Sequence, residues 1–138
     1  MRIITLNVNG IRSAARKGFF EWVKLQNADI ICLQETKAQE DQLDASHYPQ
    51  GYQSYFFDAE KKGYSGVAIY SRVKPDSITA GLGWECADKE GRYLQLNFPG
   101  LSVASLYMPS GSSGELRQQL KFQFLDHYLP ILKKQCQQ

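Results

Sequence analysis

Apolar residues fall into three kinds of pattern along this chain. Ile3-Ile4-Thr5-Leu6-Asn7-Val8 and Asp29-Ile30-Ile31-Cys32-Leu33-Gln34 are compact, β-branched runs, as expected of buried strands. Asn9-Gly10 closes the first with a turn signal. Between the runs, Phe19, Phe20, Val23 and Leu25 fall near helical spacing, which predicts a short helix over about 17–26. Strand, helix and strand in this order make a βαβ-like unit and point to α/β or mixed layers.

The middle of the chain changes character. Segments 52–57, 66–71, 92–98 and 101–107 are strand-like, separated by Gly, Pro, Asp and Lys. Phe98-Pro99-Gly100-Leu101 reads as a tight hairpin turn. Their apolar residues do not alternate cleanly, so parts of the sheet are expected to be covered on both faces. The third pattern is helical. From Glu115 to about Lys134, Leu116, Leu120, Phe124, Tyr128 and Leu132 recur every four residues, with Leu125 and Leu129 widening the stripe. Ser113-Gly114 precedes this helix and Lys133-Lys134 close it, while Pro130 is expected to kink it or end its regular part early.

Composition narrows the setting more than the function. The 138 residues suit one domain, and 43% hydrophobic with 22% charged residues excludes a disordered chain. The net charge of +2 offers no whole-chain attraction to nucleic acid, so any such site must be a local cluster. Three scattered cysteines without a C-x-x-C pair argue against a disulfide framework or a zinc site and suit a reducing compartment. No apolar run approaches a membrane span and no signal-peptide segment precedes the first strand. The expectation is a cytoplasmic protein with no membrane partner.

Candidate chemistry sits at strand ends. Glu35 follows the second apolar run and Asn7 ends the first, where open α/β sheets place ligand groups. A carboxylate and an amide oxygen would suit Mg2+. On spacing alone, a surface glutamate and a turn-forming asparagine account for the same residues and outweigh that idea. Tyr107-Met108-Pro109-Ser110-Gly111-Ser112-Ser113-Gly114 ends another strand in a loop that can offer N–H and O–H groups to a phosphate, or merely connect. Gly63-Tyr64-Ser65-Gly66 presents an aromatic or forms a plain turn. Arg12, Arg16 and Lys17 are basic enough to meet phosphates, though such clusters are usually solvated faces. His47 and His127 lack a carboxylate pattern, and His127 fits a structural role in the last helix.

Taken together, the segments resemble one family. Asn7-Val8-Asn9-Gly10-Ile11-Arg12, Leu33-Gln34-Glu35-Thr36-Lys37, Gly63-Tyr64-Ser65-Gly66-Val67-Ala68, Glu90-Gly91-Arg92 and Tyr107-Met108-Pro109 occur in the order found in exonuclease III-type AP endonucleases, of the bacterial type. The resemblance runs from the first strand to the last helix. It implies an α/β fold, half of a four-layer α/β sandwich, with residues 1–138 as the N-terminal half of the nuclease domain. It implies a DNA-repair nuclease that hydrolyses the phosphodiester 5′ to abasic sites and removes nucleotides 3′→5′ from duplex DNA. The cofactor implied is Mg2+, with Mn2+ as the alternative ion. Glu35 would be the principal metal ligand, and Asn7 a second ligand or a positioner of the phosphate. Tyr107 would be catalytic, donating to the phosphate. Arg12, Lys17, Tyr64 and Arg92 would hold the DNA backbone. Asn9 stands where some relatives carry Asp and joins as a further candidate ligand. Ser110 stands where others carry Asn or Gln, as a candidate DNA contact.

The family's second half carries Gly-Asp-x-Asn, a later metal-side Asp and a terminal Ser-Asp-His that supplies the base, and none of these occurs here. The isolated chain is therefore expected to be inactive and to expose an apolar sheet face through which it self-associates. The alternatives are a non-catalytic DNA-binding fragment, or another metal phosphoesterase of the same superfold acting on RNA tails or phosphoinositides.

Overall fold

The computed structural model describes residues 1–111 and 114–138. The part of the hydroxyl-rich loop formed by Ser112 and Ser113 lies outside the described residues. The two apolar runs become β1 (Ile3–Asn7) and β2 (Ile30–Gln34), which pair in parallel with Ile3 opposite Ile30 and Asn7 opposite Gln34. Their carboxyl ends are therefore level. The connection is two helices rather than the single one expected over 17–26. These are α1 (Ile11–Arg16) and α2 (Phe19–Gln26), separated at Gly18, whose φ of 94° is left-handed and ends a helix readily. Only Ile11 of α1 is buried, so the helix left almost no periodic signal.

β4 (Val67–Ser71) runs antiparallel to β2, and β3 (Gln53–Phe57) antiparallel to β4, completing a sheet of order β1-β2-β4-β3. A second sheet has the order β5-β6-β7, from β5 (Ser77–Ala80), β6 (Tyr93–Phe98) and β7 (Leu101–Leu106), with the short helix α3 (Glu85–Asp88) between the first two. The Pro99-Gly100 turn joins the last two, with Phe98 opposite Leu101, as the hairpin reading requires. The sequence reading passed over β5, all four of whose residues are exposed. A strand with nothing to bury shows no apolar alternation.

Strand alternation sorts the core into two clusters. Ile31, Leu33, Ala68 and Tyr70 pack with Ile11, Phe19, Phe20 and Val23 of the helices. Ile30, Cys32, Val67 and Ile69 pack with Leu94, Leu96 and Val103 of the second sheet. β2 and β4 are thus covered on both faces, which explains why their sequences are almost continuously apolar. On the far side of β6, the helix α4 (Glu115–Cys136) sets Tyr128 against Tyr93 and bonds Gln135 to Gln95 at 2.9 Å. Helices, sheet, sheet and helix make four layers within this chain.

Two expectations are corrected here. The apolar sheet faces are not left in water, because both sheets are present and cover each other. Exposed apolar side chains remain at the β1 edge, where Ile3 is 46% and Leu6 39% exposed, on α4, and singly elsewhere, as at Leu25 of α2 and Ile78 of β5. The α4 stripe is only lightly docked: Phe124 is buried, but Leu116 is 72% exposed. The helix also runs through Pro130 to Cys136 rather than stopping early. No helix among the described residues is long and apolar enough to cross a membrane. All three cysteines are free, and burial pushes the Cys32 thiol up to about 11.

Candidate active site

Because β1 and β2 end level, the loops beyond them continue as a backbone ladder. Val8 N donates to Gln34 O at 3.0 Å, Gly10 N to Glu35 O at 2.8 Å and Ile11 N to Thr36 O at 2.9 Å. The second loop is then tied to the third, since Lys37 N donates to Ser65 O at 2.8 Å and Thr36 N to Gly66 O at 3.2 Å. Gly66 N reaches Glu90 O at 3.4 Å, and Tyr107 N reaches Arg92 O at 2.9 Å. All five motif segments thus belong to one hydrogen-bonded frame.

That frame holds strained backbone. Asn9 (φ 45°), Glu35 (φ 54°), Lys37 (φ 50°) and Ser65 (φ 51°) all lie in the left-handed region. Each such residue costs roughly 1–2 kcal/mol relative to its ordinary conformation. Strain gathered in this way is held only where the surroundings over-determine it, typically at functional sites. Glycine at position 91 has a steric reason: a Cβ there would lie 2.4 Å from Phe57 O.

Glu35 is the centre of the polar contacts. Asn7 Nδ2 donates to its Oε1 at 2.8 Å, and Lys37 Nζ lies 3.3 Å from its Oε2. Tyr107 presents its hydroxyl to the same carboxylate. Burial by itself raises the Glu35 pKa, but the hydrogen bonds from Asn7, Tyr107 and Lys37, with the Lys37 charge, outweigh it and hold the group below the ordinary carboxylate value. Tyr107 is shifted the other way. Burial first, then the Glu35 carboxylate, push its phenol up to about 12. The pair therefore rests as an ionised carboxylate facing a protonated phenol.

The amide of Asn7 is fixed at both ends. Its Oδ1 accepts from Asn9 N at 3.0 Å while its Nδ2 serves Glu35, so a flipped amide would set oxygen against carboxylate. Lys37 Nζ also donates to Asn9 Oδ1 at 2.6 Å. A divalent cation fits this set in part. Glu35 is a half-buried, ionised oxygen donor, and Mg2+ is commonly held by one or two carboxylates with water and phosphate completing the shell. Among the described residues no group of three His, Cys, Asp or Glu side chains could hold a metal ion. The arrangement offers oxygen donors from one side only and is not a cage.

Arg92 lies behind these residues. It is 3% exposed, and its Nε donates to Glu90 Oε2 at 2.6 Å, its Nη1 to Tyr107 O at 3.1 Å and its Nη2 to the Tyr64 hydroxyl at 3.1 Å. Its guanidinium carbon also sits 4.9 Å from the Tyr107 ring centroid. Named from sequence as a DNA-backbone contact, it is turned inward here and engaged with three partners. Arg12 is exposed, donates to Lys37 O at 3.4 Å, and lines a basic hollow with Arg16, Lys37 and Gly63. Lys17 is exposed on the other side, in a groove of about 580 Å3 that includes Asn7, Asn9 and Trp22. Ser110 is exposed three residues beyond Tyr107. Neither histidine joins the site: His127 stacks on Trp84 at 4.0 Å, and His47 is buried edge-on to Phe20.

A model of the endonuclease/exonuclease/phosphatase family matches residues 4–130. The chain belongs to this family. Among curated members it is 40% identical to an exodeoxyribonuclease of Bacillus subtilis (strain 168) over 133 residues, which is 96% of this chain and 52% of that protein. It is 36% identical over 118 residues to a DNA-(apurinic or apyrimidinic site) endonuclease of Dictyostelium discoideum, covering 86% of this chain and 33% of the relative. In three dimensions it superposes on an AP endonuclease from Archaeoglobus fulgidus with a TM-score of 0.81 and 33% identity, over 95% of this chain and 51% of that one. The chain spans about half the length, or less, of these relatives.

Within this family frame, two contributors to the site were not assigned roles from sequence. Lys37 was quoted only as part of a motif, yet it bridges Glu35 and Asn9. Arg117 in the first turn of α4 reaches the Tyr64 hydroxyl. No local pattern could have revealed the second, because 53 positions separate the two residues. The first was readable in principle, as a cation two residues from a strand-end carboxylate.

Proposed function

We propose that these residues form the metal-facing wall and part of the DNA cradle of a repair nuclease. Its reaction would be hydrolysis of the phosphodiester 5′ to abasic sites and stepwise removal of nucleotides from 3′ ends of duplex DNA. The observation that carries this reading is Glu35, kept ionised by Asn7, Lys37 and Tyr107 at the level ends of two parallel strands. Glu35 is the residue that would hold Mg2+ (or Mn2+), and Asn7 acts as its positioner. When bound, the ion supplies positive charge against the charge that develops on the phosphate. Tyr107, a phenol held protonated, donates its O–H to a phosphate oxygen in place of Glu35. Arg12, Lys17 and Tyr64 meet the strand, Ser110 and Asn9 lie within reach of it, and Arg92 braces both tyrosines from behind.

The same geometry favours a second reading for the 138 residues alone, namely binding without catalysis. Among the described residues no free base stands beside Glu35 to activate water, both histidines being engaged elsewhere. The test is incision of a duplex carrying one abasic site, with Mg2+, by the protein at the length at which the cell makes it. We expect Mg2+-dependent cleavage that Glu35→Gln abolishes. Cleavage unaffected by Glu35→Gln would overturn the proposal. Glu35-dependent cleavage by residues 1–138 alone would overturn the second reading.

A further inference from the structure

Just past the end of β3 stands a carboxylate with one oxygen satisfied and one not. Asp58 Oδ2 accepts from Glu40 N at 2.9 Å, whereas Oδ1 is buried and meets no donor among the described residues. A buried acceptor left without a donor is costly, and more so when it is charged.

The surroundings add charge of the same sign. Glu40 and Asp41 stand on the short 3-10 turn Glu40–Gln42 that is bonded to Asp58, and Tyr48 faces both Glu40 and Asp58. Cations of the neighbouring segments are engaged elsewhere. On the turn packed against the end of β3, Lys89 pairs with Glu85 at 2.9 Å and Arg92 with Glu90 at 2.6 Å. Lys61 lies over the Tyr64 ring and Lys37 pairs with Glu35. Among the described residues no cation pairs with Asp58, Glu40 or Asp41. Burial raises the Asp58 pKa, the hydrogen bond from Glu40 N offsets part of this, and the Asp41 charge adds to it. A carboxyl so placed relieves its unpaired charge by taking up a proton.

We propose that Asp58 carries a proton on Oδ1 in acid and serves as a proton-linked clamp on the segment that follows Lys37, loosening when that proton leaves. Gln39 Nε2 also ties the segment down, donating to Ala59 O at 2.7 Å, but nothing in that bond titrates. Movement at Glu40 reaches Lys37 through Gln39 and the buried Ala38, and Lys37 in turn holds Glu35 and Asn9. The folded carboxyl lies above its ordinary 3.8, so the clamp is complete below that value and is lost as pH rises through the raised one.

The experiment follows hydrogen exchange of the Glu40 amide by NMR, in residues 1–138, from about pH 4 to about pH 7. Wild type, D58N and D41N are compared. Position 58 is remote in sequence from the probed amide, so the intrinsic exchange rate is the same in D58N and wild type. D58N presents a neutral side chain at every pH. Wild-type protection relative to D58N should therefore fall as pH rises, by at most about tenfold per pH unit, the limit for one proton. D41N, at an exposed residue, should move this fall to lower pH by removing a like charge. A wild-type to D58N ratio that is constant with pH would overturn the clamp. If D58N does not fold, D41N decides: a fall at lower pH than in wild type supports the clamp, and an unmoved fall, or none, overturns it.

Discussion

Arg92→Lys tests whether a residue expected on the DNA is in fact a brace. The guanidinium serves Glu90, Tyr107 O and the Tyr64 hydroxyl at 2.6, 3.1 and 3.1 Å. A lysine ammonium can follow one of these directions and has no planar face to set over the Tyr107 ring. Two charged hydrogen bonds are then lost. At ~1.5–3 kcal/mol each the gross loss would be several kcal/mol. Water can replace the partner of the half-exposed Tyr64, so a net destabilisation of about 2–4 kcal/mol is expected. Urea unfolding of residues 1–138, followed by circular dichroism, measures it directly. Duplex binding measures the alternative. A residue that touches a phosphate takes about 0.9 from the salt slope when its contact is removed, whereas a buried brace leaves the slope as it was. The reasoning is refuted if Arg92→Lys unfolds at the wild-type urea concentration and the charge-removing Arg92→Gln lowers the salt slope by about one.

Other consequences follow from burial, strain and charge. Phe124→Ala should cost about 3–4 kcal/mol, a buried-phenylalanine cavity less a small gain in helix propensity, whereas Leu116→Ala on the same stripe should stay within ~0.5 kcal/mol; equal effects in urea denaturation would contradict the observed docking of α4. Gly91→Ala, which drives a Cβ into the Phe57 carbonyl at a positive φ of 55°, should destabilise by at least ~3 kcal/mol, and a soluble variant with unchanged melting temperature would show the contact to be relaxed. Glu35 has a folded pKa below its ordinary 4.5, so its ionisation contributes stability that is present above that value and lost as pH falls through the lowered one. Wild type should therefore lose more stability than Glu35→Gln across that window, and parallel pH profiles would show that Asn7, Lys37 and Tyr107 do not favour the carboxylate.

What could be read from the chain followed from what each element buries. β2 and β4 declared themselves because both faces of each are covered, and the Pro99-Gly100 turn because its geometry demands those residue types. β5 and α1 were silent, since almost nothing in them is buried. The α4 stripe misled for the opposite reason: its spacing is that of a docked helix, yet Phe124 alone is fully buried. At the site, Glu35, Asn7 and Tyr107 were named from motifs, and the structure brings them together. That Arg92 is buried was not readable, because it depends on Tyr64 and Tyr107 closing over it from other loops. The left-handed residues were equally invisible, for Glu35 and Lys37 are not types that usually mark such backbone.

The level ends of β1 and β2 matter in one more respect. Along β1, Ile3 and Thr5 share one face and Ile4 and Leu6 the other. A slip of β1 by two residues would keep every side chain on its own side of the sheet. Packing alone therefore discriminates poorly between the native alignment and its neighbour, which would carry Asn7 roughly 7 Å away from Glu35. The distinction falls to the two ends of the strand. At one end, Asp29 Oδ2 accepts from Arg2 N at 2.6 Å. At the other, Gly10 N and Ile11 N clasp the carbonyls of Glu35 and Thr36. The loop that assembles the Glu35 cluster thus also measures out the strand behind it. Substitutions in Asn9-Gly10-Ile11 should scramble strand alignment and site geometry together.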